Sequence, residues 1–550
     1  MQEFNLIEEP WIRVLDKDCR IKEVGIREAL LNAHEFAELS GETKTQDFAI
    51  LRFLLAMMYT IFYRYDIDGS EIDLRENKNT VEVNWKKMWE DKRIPREPVE
   101  KYLAKWHDRF WLFDDVQPFY QTRAVEGIGT LTSSSKMIGT LFESGNKRRL
   151  FTDRVEQGRT LSYSEAARWL LHLNCFDDIA ARNPNGSLPK RSWVGLLGLI
   201  ALKGKNLFET IMFNFCADLD VSRNVFDECP SWEQDNYNIE FNRLINVPRD
   251  QAALLSLMSR RVLLCHREDN KVEDYYLAGG DYFVDLEVFQ EQMTLWLAHQ
   301  KGKKKDTPYK YEPRKHDTSR KIWQEFSSIV GINEENSEKS RCPGVINRLH
   351  QLRYDDEILD SSYTAKIITA AVVYNEQHRM SYDVSDIISD ELNLHAQILE
   401  NETWYTMVVE EVKKCDKAAY YVSRLYKNVQ IASGRKDKDG KTNLSGEIDA
   451  KMRFYDSIDE PFRLWLEKLR ADNDLDPDDS MAEIEKTLKK IAFDFGNSIA
   501  AQVGLSAILG RKKDPSDKKK EHEIVSSAEA LNYYFAGISK IFSRAGNASE

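Results

Sequence analysis

Three things are missing from this sequence of 550 residues: a C-x-x-C pair, an uninterrupted apolar run long enough to span a bilayer, and a surplus of positive charge. Seven cysteines (Cys19, Cys175, Cys216, Cys229, Cys265, Cys342, Cys415) lie scattered, which argues against a zinc ribbon and against a disulfide framework. They are expected to be reduced and mostly buried. The longest apolar candidate, "FAILRFLLAMMYTIFYRY" from Phe48, carries Arg52 inside it, and "WVGLLGLIAL" from Trp193 is too short to cross a membrane. Both are predicted to be buried helices. The first residues, "MQEFNLIEEPW", are acidic where a signal peptide needs positive charge, so the chain is expected in the cytoplasm, with no membrane partner.

Motifs of catalysis are absent too. The sequence contains no P-loop, no G-x-S-x-G, no H-E-x-x-H and no paired acid motif with a clear partner. Two His-Asp doublets, His107-Asp108 and His316-Asp317, raise the alternative of a metal-dependent HD-type nuclease, but such a site needs further ligands on converging helices, and the other histidines stand singly. His34, His172, His350 and His395 sit in helical patterns and read as satisfied core or interface residues. The expectation is a protein that is not an enzyme and uses no metal or cofactor.

Acidic residues outnumber basic ones, 91 to 78, for a net charge of −13. That balance disfavours nonspecific nucleic-acid binding, yet contact depends on local clusters and not on the total. Three clusters stand out. "GNKRRLFTDR" (145–154) surrounds Leu150-Phe151 with four cations, and "GRKKDPSDKKK" (510–520) is the second basic run. From Lys301 to Lys321 nine cations face three anions, a net of +6 against −19 for the rest of the chain. Tyr309, Tyr311, Pro308 and Pro313 interleave there, so ammonium groups can follow phosphates while aromatic faces meet sugars or bases. The acidic stretch Asp472 to Glu485 holds seven carboxylates; it lacks calcium-loop spacing and reads as a linker and helix start.

What is present is a globular composition, 42% hydrophobic and 11% aromatic. Two short strands (Trp11 to Leu15, Arg20 to Val24) precede a helix from Ile26 and a strongly apolar helix from Gln46 to Tyr63. Between residues 80 and 385 short apolar runs alternate with helices such as Tyr163 to Leu173 and Asn206 to Phe215, without repeat or Rossmann-like alternation. From residue 390 on, four long helical segments are predicted: Glu391 to Ala432, Gly446 to Ala471, Ser480 to Leu509 and Glu523 to Phe542, the last with a stripe of Ala528, Leu531, Tyr534, Phe535, Ile538, Ile541 and Phe542. The fold class is α+β: an irregular N-terminal domain, 1–388, then a C-terminal four-helix bundle, 389–550.

In order along the chain stand "FNLIEEPWIRV" (Phe4 to Val14), "GIREALLNAHEFAEL", "QPFYQ" (Gln117 to Gln121), "KGKNLFETIMFNF" (Lys203 to Phe215), "QMTLW" (Gln292 to Trp296) and "YEPRKHD" (Tyr311 to Asp317). These stretches resemble the CasA family, the large subunit of the type I-E Cascade CRISPR surveillance complex. The resemblance implies a non-catalytic subunit that recognises the protospacer-adjacent motif in duplex DNA, mainly through the minor groove, and helps start strand separation and R-loop formation in antiviral defence. Its implied partners are the guide RNA, target double-stranded DNA, the backbone, small and handle-binding subunits, and an effector helicase-nuclease. A protein-only scaffold is the other alternative.

Residue by residue, the resemblance implies that Phe151, with Leu150 and Thr152, docks at the guide's 5′ handle, while Arg148, Arg149 and Arg154 hold backbone phosphates. The minor-groove lysine matches Lys303, with Lys304 and Lys305 beside it; a cation suits a groove lined with acceptors. The strand-separating wedge is similar to "YNEQHR", with Gln377 at its tip, Asn375 before and His378 after. In "CFDDIAARNPNG" Asp177, Asp178, Ile179 and Ala180 stand where some relatives have a glycine-rich DNA loop, and two carboxylates there are expected to repel phosphates. Arg511, Lys512, Lys513, Lys518, Lys519 and Lys520 are expected to contact displaced DNA nonspecifically.

Overall fold

In this computed structural model the described residues are all except 1, 75–78, 140–159, 178–182, 184, 188–189, 218–227, 236–239, 267–268, 301–308, 332–339, 355–357, 360–362, 375–383, 396–397, 399–401, 435–445, 470–475, 513–523 and 545–550. The chain forms two compact units. One comprises residues 1–316, 333–349 and 366–391, the other 317–332, 350–365 and 392–550.

Near the start of the first unit, after the short strand Glu3–Asn5, β1 (Ile12–Asp16) and β2 (Ile21–Val24) pair antiparallel with Ile12 opposite Val24. The Asp16 carboxylate closes their turn by accepting from the amides of Asp18 and Arg20, each at 2.9 Å. Helix α1 (Ile26–Leu31) follows, and β3 (Phe36–Leu39) pairs on the other side of β1. Helix α2 (Lys44–Phe62), capped by the Thr43 hydroxyl, is buried nearly all round. Among the described residues it alone is long and apolar enough to cross a membrane, and 94% of its apolar window is inside the protein. The charge within it is met internally: both Arg52 terminal nitrogens donate to the two Glu291 oxygens at 2.8 Å. Neither side chain is more than 1% exposed.

Helix α3 (Tyr163–Phe176) starts in a capping box, Ser162 and Glu165 each holding the other's backbone amide. The segment from Trp193 is not the predicted helix. It makes one short turn and then strand β4 (Leu199–Lys203), buried on both faces, so its apolar run carries no period that separates helix from strand. Gly198 is required just before it, because a Cβ there would sit 2.6 Å from the Arg314 carbonyl. Helix α4 (Leu207–Asn214) ends with Asn214, whose amide group pairs both ways with the Leu202 backbone and satisfies the edge of β4.

Strands β5 (Arg260–His266) and β6 (Lys271–Gly279) form a long antiparallel pair extended by Thr130–Ser133. Strands β7 (Trp296–Gln300) and β8 (Tyr309–Pro313) pair from Trp296 opposite Pro313 to Gln300 opposite Tyr309. Strands β9 (Thr364–Tyr374) and β10 (Val384–His395) complete a sheet in the order β10-β9-β4. Lys366 reaches Glu391, Thr369 the carbonyl of Asp390, and Ser385 the carbonyl of Val373, so β9 and β10 run antiparallel.

The second unit is mainly helical: α5 (Glu402–Ser433), α6 (Gly446–Lys468), α7 (Pro477–Ala501) and α8 (Ser527–Ile541). Each packs on the next and α8 closes back on α5, which makes a four-helix ring. The molecule is thus α+β. Boundaries of three predicted helices move. Glu391 to His395 is strand, with Leu392 and Leu394 alternating inward at period two, and the helix begins only at Glu402. The third helix starts at Pro477 behind an Asp476 cap and stops at Ala501, leaving a separate short turn, Leu505–Leu509. The last begins at Ser527, capped by Ser526; the buried stripe runs through Ala530, Tyr534, Gly537, Ile538 and Phe542, while Ala528 faces out.

Candidate nucleic-acid interface

Most residues expected to touch nucleic acid lie outside the described residues: Arg148, Arg149, Leu150, Phe151, Thr152, Arg154, Ile179, Ala180, Lys303, Lys304, Lys305, Asn375, Gln377, His378, Lys513, Lys518, Lys519 and Lys520. What is described is how the fold holds the ends of their segments. Residues 301–308 join β7 to β8, 375–383 join β9 to β10, and 513–523 join Arg511–Lys512 to its antiparallel partner Ile524–Val525. Arg511 is exposed on that last ribbon; of Lys512 the backbone is described.

The stem of the 375–383 segment and the end of α3 meet at one side chain. Tyr374, the last residue of β9, is 4% exposed, and its hydroxyl donates to the Phe176 carbonyl at 2.6 Å. Residue 374 leads directly into the expected wedge, and Phe176 into Asp177 to Ala180. Over the same ring stand the Arg191 guanidinium, 5.2 Å from the centroid, and the Lys315 ammonium at 5.5 Å. Lys315 lies just past β8, where the chain is tied down by Gly198 N donating to Arg314 O (3.0 Å) and by His316 Nε2 on Leu199 O (2.9 Å).

Arg260, which the sequence reading passed over, closes the segment between Asp177 and Lys190. Its side chain is fully buried and pairs with the Asp177 carboxylate. It also donates to the carbonyls of Asp177 (3.1 Å) and Lys190 (2.9 Å) and to the Tyr282 hydroxyl (2.8 Å). Asn183 adds a second tie, accepting from Gly279 N at 2.6 Å. The Asp177 carboxylate is therefore turned inward against a buried cation that needs it, and the expected repulsion of phosphates by this residue is corrected. An arginine pair opening an apolar strand, "SRRVLLC", was the available signal: buried arginine demands a carboxylate.

The histidines are mostly accounted for by neighbours. His172 is buried, bonded to Thr45 Oγ1 at 3.0 Å and pushed down to about 3 by burial, hence neutral. His395 lies between Thr364 Oγ1 and Glu467 O, 2.9 Å from each. His350 Nε2 lies 3.4 Å from Val330 O, and His34 Nε2 3.8 Å from Glu35. His107 is half exposed beside Asp108 and packs edge-on to Trp111. Among the described residues no three His, Cys, Asp or Glu side chains group as metal ligands, and the described cysteines form no disulfide.

A cavity of about 350 Å³ in the first unit is floored by Leu39, Phe48 and Ile368. Its lysines are already engaged, Lys44 with Glu38 (3.7 Å) and Asp47 (3.5 Å), and Lys203 with Glu38 (2.5 Å). Burial pushes Asp47 up to about 6 despite its bond from Gly41 N.

Residues 5–495 match the family model of the CRISPR-associated protein Cse1. A curated relative, CRISPR-associated protein CasA/Cse1 of Thermus thermophilus, is 33% identical over 236 residues, 42% of this chain and 42% of the relative's length. The fold superposes on that of Thermobifida fusca Cse1 with a TM-score of 0.79 at 24% identity, covering 98% of both chains. It also superposes on a chain of a CRISPR RNA-guided surveillance complex, TM-score 0.69 at 14% identity, over 98% of this chain and 100% of that one. With nearly its whole length inside the family model, the chain belongs to the CRISPR-associated protein Cse1 family.

Proposed function

We propose that the chain is the non-catalytic large subunit of a type I-E Cascade, reading the motif that flanks a target in duplex DNA and helping to open the duplex for R-loop formation. Family membership and the likeness to a chain of a surveillance complex support the assembly. The observation that carries the reading of DNA is the junction at Tyr374, where the segment bearing Asn375, Gln377 and His378 starts beside the segment bearing Ile179 and Ala180. Both segments leave from hydrogen-bonded, buried ends, as a strand-separating wedge needs, since unstacking a base step costs about a few kcal/mol.

In this reading Lys303, with Lys304 and Lys305, enters the minor groove, and Gln377 inserts at the first base pair. Phe151, Leu150 and Thr152 dock at the guide RNA with Arg148, Arg149 and Arg154 on its phosphates. Residues 1–388 do the recognition, and the bundle, 389–550, faces neighbouring subunits and guides displaced DNA along Arg511, Lys512, Lys513, Lys518, Lys519 and Lys520. The effector helicase-nuclease supplies cleavage.

The test is binding of the assembled complex, at one salt concentration, to target duplexes that differ only in flanking sequence. The Lys303→Ala plus Gln377→Ala variant should lose discrimination while still assembling on guide RNA. Discrimination equal to wild type removes these residues from the reading.

A further inference from the structure

One face of the bundle displays a row of cations and aromatic rings. After Glu410, the exposed residues described on α5 are Lys413, Lys417, Tyr420 and Arg424, spaced four, three and four apart and so on one line of the helix. Among the described residues no carboxylate pairs with these three cations; Arg424 donates one N–H to the Tyr420 hydroxyl at 3.4 Å. Lys413 and Lys417, one turn apart, repel each other, a small cost to the helix that an anionic partner offsets. The line continues through half-buried Lys427 to Gly434, where the Arg511 guanidinium lies so close that a Cβ would meet it.

The row broadens onto α8 through Tyr421. Gly537 lacks the side chain that would run into this ring, so Tyr421 lies against α8, with its centroid 5.5 Å from that of Tyr533 and 6.0 Å from that of Tyr420. Tyr420 is 54% exposed and Tyr533 50%; they are the only exposed large hydrophobic side chains described on α5 and α8. Lys540, exposed and two turns beyond Tyr533, adds a further cation on the same side of α8. Cations beside open ring faces suit a nucleic-acid single strand, whose phosphates meet the charges while unpaired bases stack on the rings. A duplex keeps its base faces inside the stack, and a protein interface has an apolar core, which a row without exposed aliphatic side chains does not supply.

We propose that Lys413, Lys417, Tyr420, Arg424 and Tyr533 form a stacking platform for single-stranded DNA, the strand displaced when the duplex opens. This rests on the duplex-opening role proposed above, and it carries the track expected at Arg511 back along α5 by roughly 30 Å. Once the guide has paired with its target, the displaced strand is the one left with unpaired bases along its length.

The experiment measures the affinity of the full chain for a short oligothymidylate and for a duplex of equal length. Tyr420→Ala plus Tyr533→Ala should weaken single-strand binding by at least roughly tenfold and leave duplex binding as in wild type, because only unpaired bases reach the rings. Tyr420→Phe plus Tyr533→Phe keeps the rings and should bind as wild type does. Lys413→Gln plus Lys417→Gln plus Arg424→Gln should make the slope of log affinity against log salt shallower by about 2, at about 0.7 for each phosphate contact of a single strand. In the assembled complex on a target duplex, thymines of the displaced strand should react faster with permanganate in the alanine variant than in wild type.

Unchanged oligothymidylate affinity in the alanine variant overturns the platform, as does a wild-type chain that does not bind this probe. Equal losses on single strand and duplex, or weak binding by the phenylalanine variant, overturn stacking as its basis. Unchanged permanganate reactivity removes the displaced strand as its ligand. Loss of polyglutamate binding in the glutamine variant, with oligothymidylate binding intact, overturns it in favour of an acidic protein partner. Failure of the alanine variant to assemble on guide RNA, while the chain melts like wild type, overturns it in favour of an RNA contact. If the wild-type complex shows no flanking-sequence preference, the reading of DNA proposed above fails, while the oligothymidylate still decides the platform.

Discussion

The two units of the molecule bury charge in different ways. In the first, arginines are matched by carboxylates in directional pairs: Arg52 with Glu291, Arg260 with Asp177, and Arg261 and Arg243 together on Asp281. Each pair ties segments distant in sequence, and planar guanidinium geometry fixes how the partners meet. In the second unit a single ammonium, Lys414, lies between two carboxylates on different helices, 3.1 Å from Glu411 and 2.5 Å from Glu485. The Arg544 amide helps Glu485 at 2.9 Å, but Glu411 Oε1 has no hydrogen-bond partner. Burial, with Glu485 adding to it against the pull of Lys414, pushes Glu411 up to about 7. Fixed pairs position loops in the irregular unit; the bundle, already ordered by its apolar stripes, tolerates a carboxyl that titrates.

That contrast breaks most readily at Arg52. Arg52→Ala leaves Glu291 buried and uncompensated, and chemical denaturation of the full chain should show a loss of about 3–5 kcal/mol. A loss below about 1 kcal/mol would mean that the pair is not what holds α2 to the Glu291 segment.

Glu411 gives the next largest effect. Its folded value lies above its ordinary one, so the folded state holds more protons between about pH 4.5 and 7. The stability tied to this group is complete below about 4.5 and is lost as pH rises through about 7. Glu411→Gln should therefore stabilise the second unit at pH 8, by something on the order of 3 kcal/mol, and hardly at all near pH 4. Melting curves at the two pH values check it, and an equal effect at both would contradict it.

Smaller again is Gly496→Ala in α7, where a Cβ would lie 2.5 Å from Cε1 of Tyr534, a fully buried ring anchored by its hydroxyl to Ala492 O at 2.7 Å. Overpacking should cost about 1–3 kcal/mol despite the better helix propensity of alanine. A gain in stability would show that the α7–α8 contact yields.

The same division governs what could be read from sequence. In the bundle, period alone is enough to find four helices, because each buries one stripe and the pattern repeats. Only the ends were misplaced, where Leu392 and Leu394 switch to period two and where Pro477 and Ser526 set helix starts. In the first unit the hairpin of β1 and β2 and helices α2 to α4 are legible, but the apolar run at Trp193 fits a helix as well as the strand β4 that it supplies. The node at Tyr374 was not legible at all. It depends on Phe176, Arg191 and Lys315, joined only by the tertiary fold, and Arg260 announced itself merely as a charge at the start of an apolar strand. Of the segments that the family resemblance singles out, the two that follow Phe176 and Tyr374 begin at one hydrogen-bonded contact.

The measurement that bears most directly on the central claim is the affinity of the wild-type assembled complex for a full set of target duplexes differing only in flanking sequence, at one salt concentration. Unequal affinities, with the preferred flank bound most tightly, are the predicted result. Equal affinity for every flank would contradict the reading of DNA by the segments that begin at Tyr374.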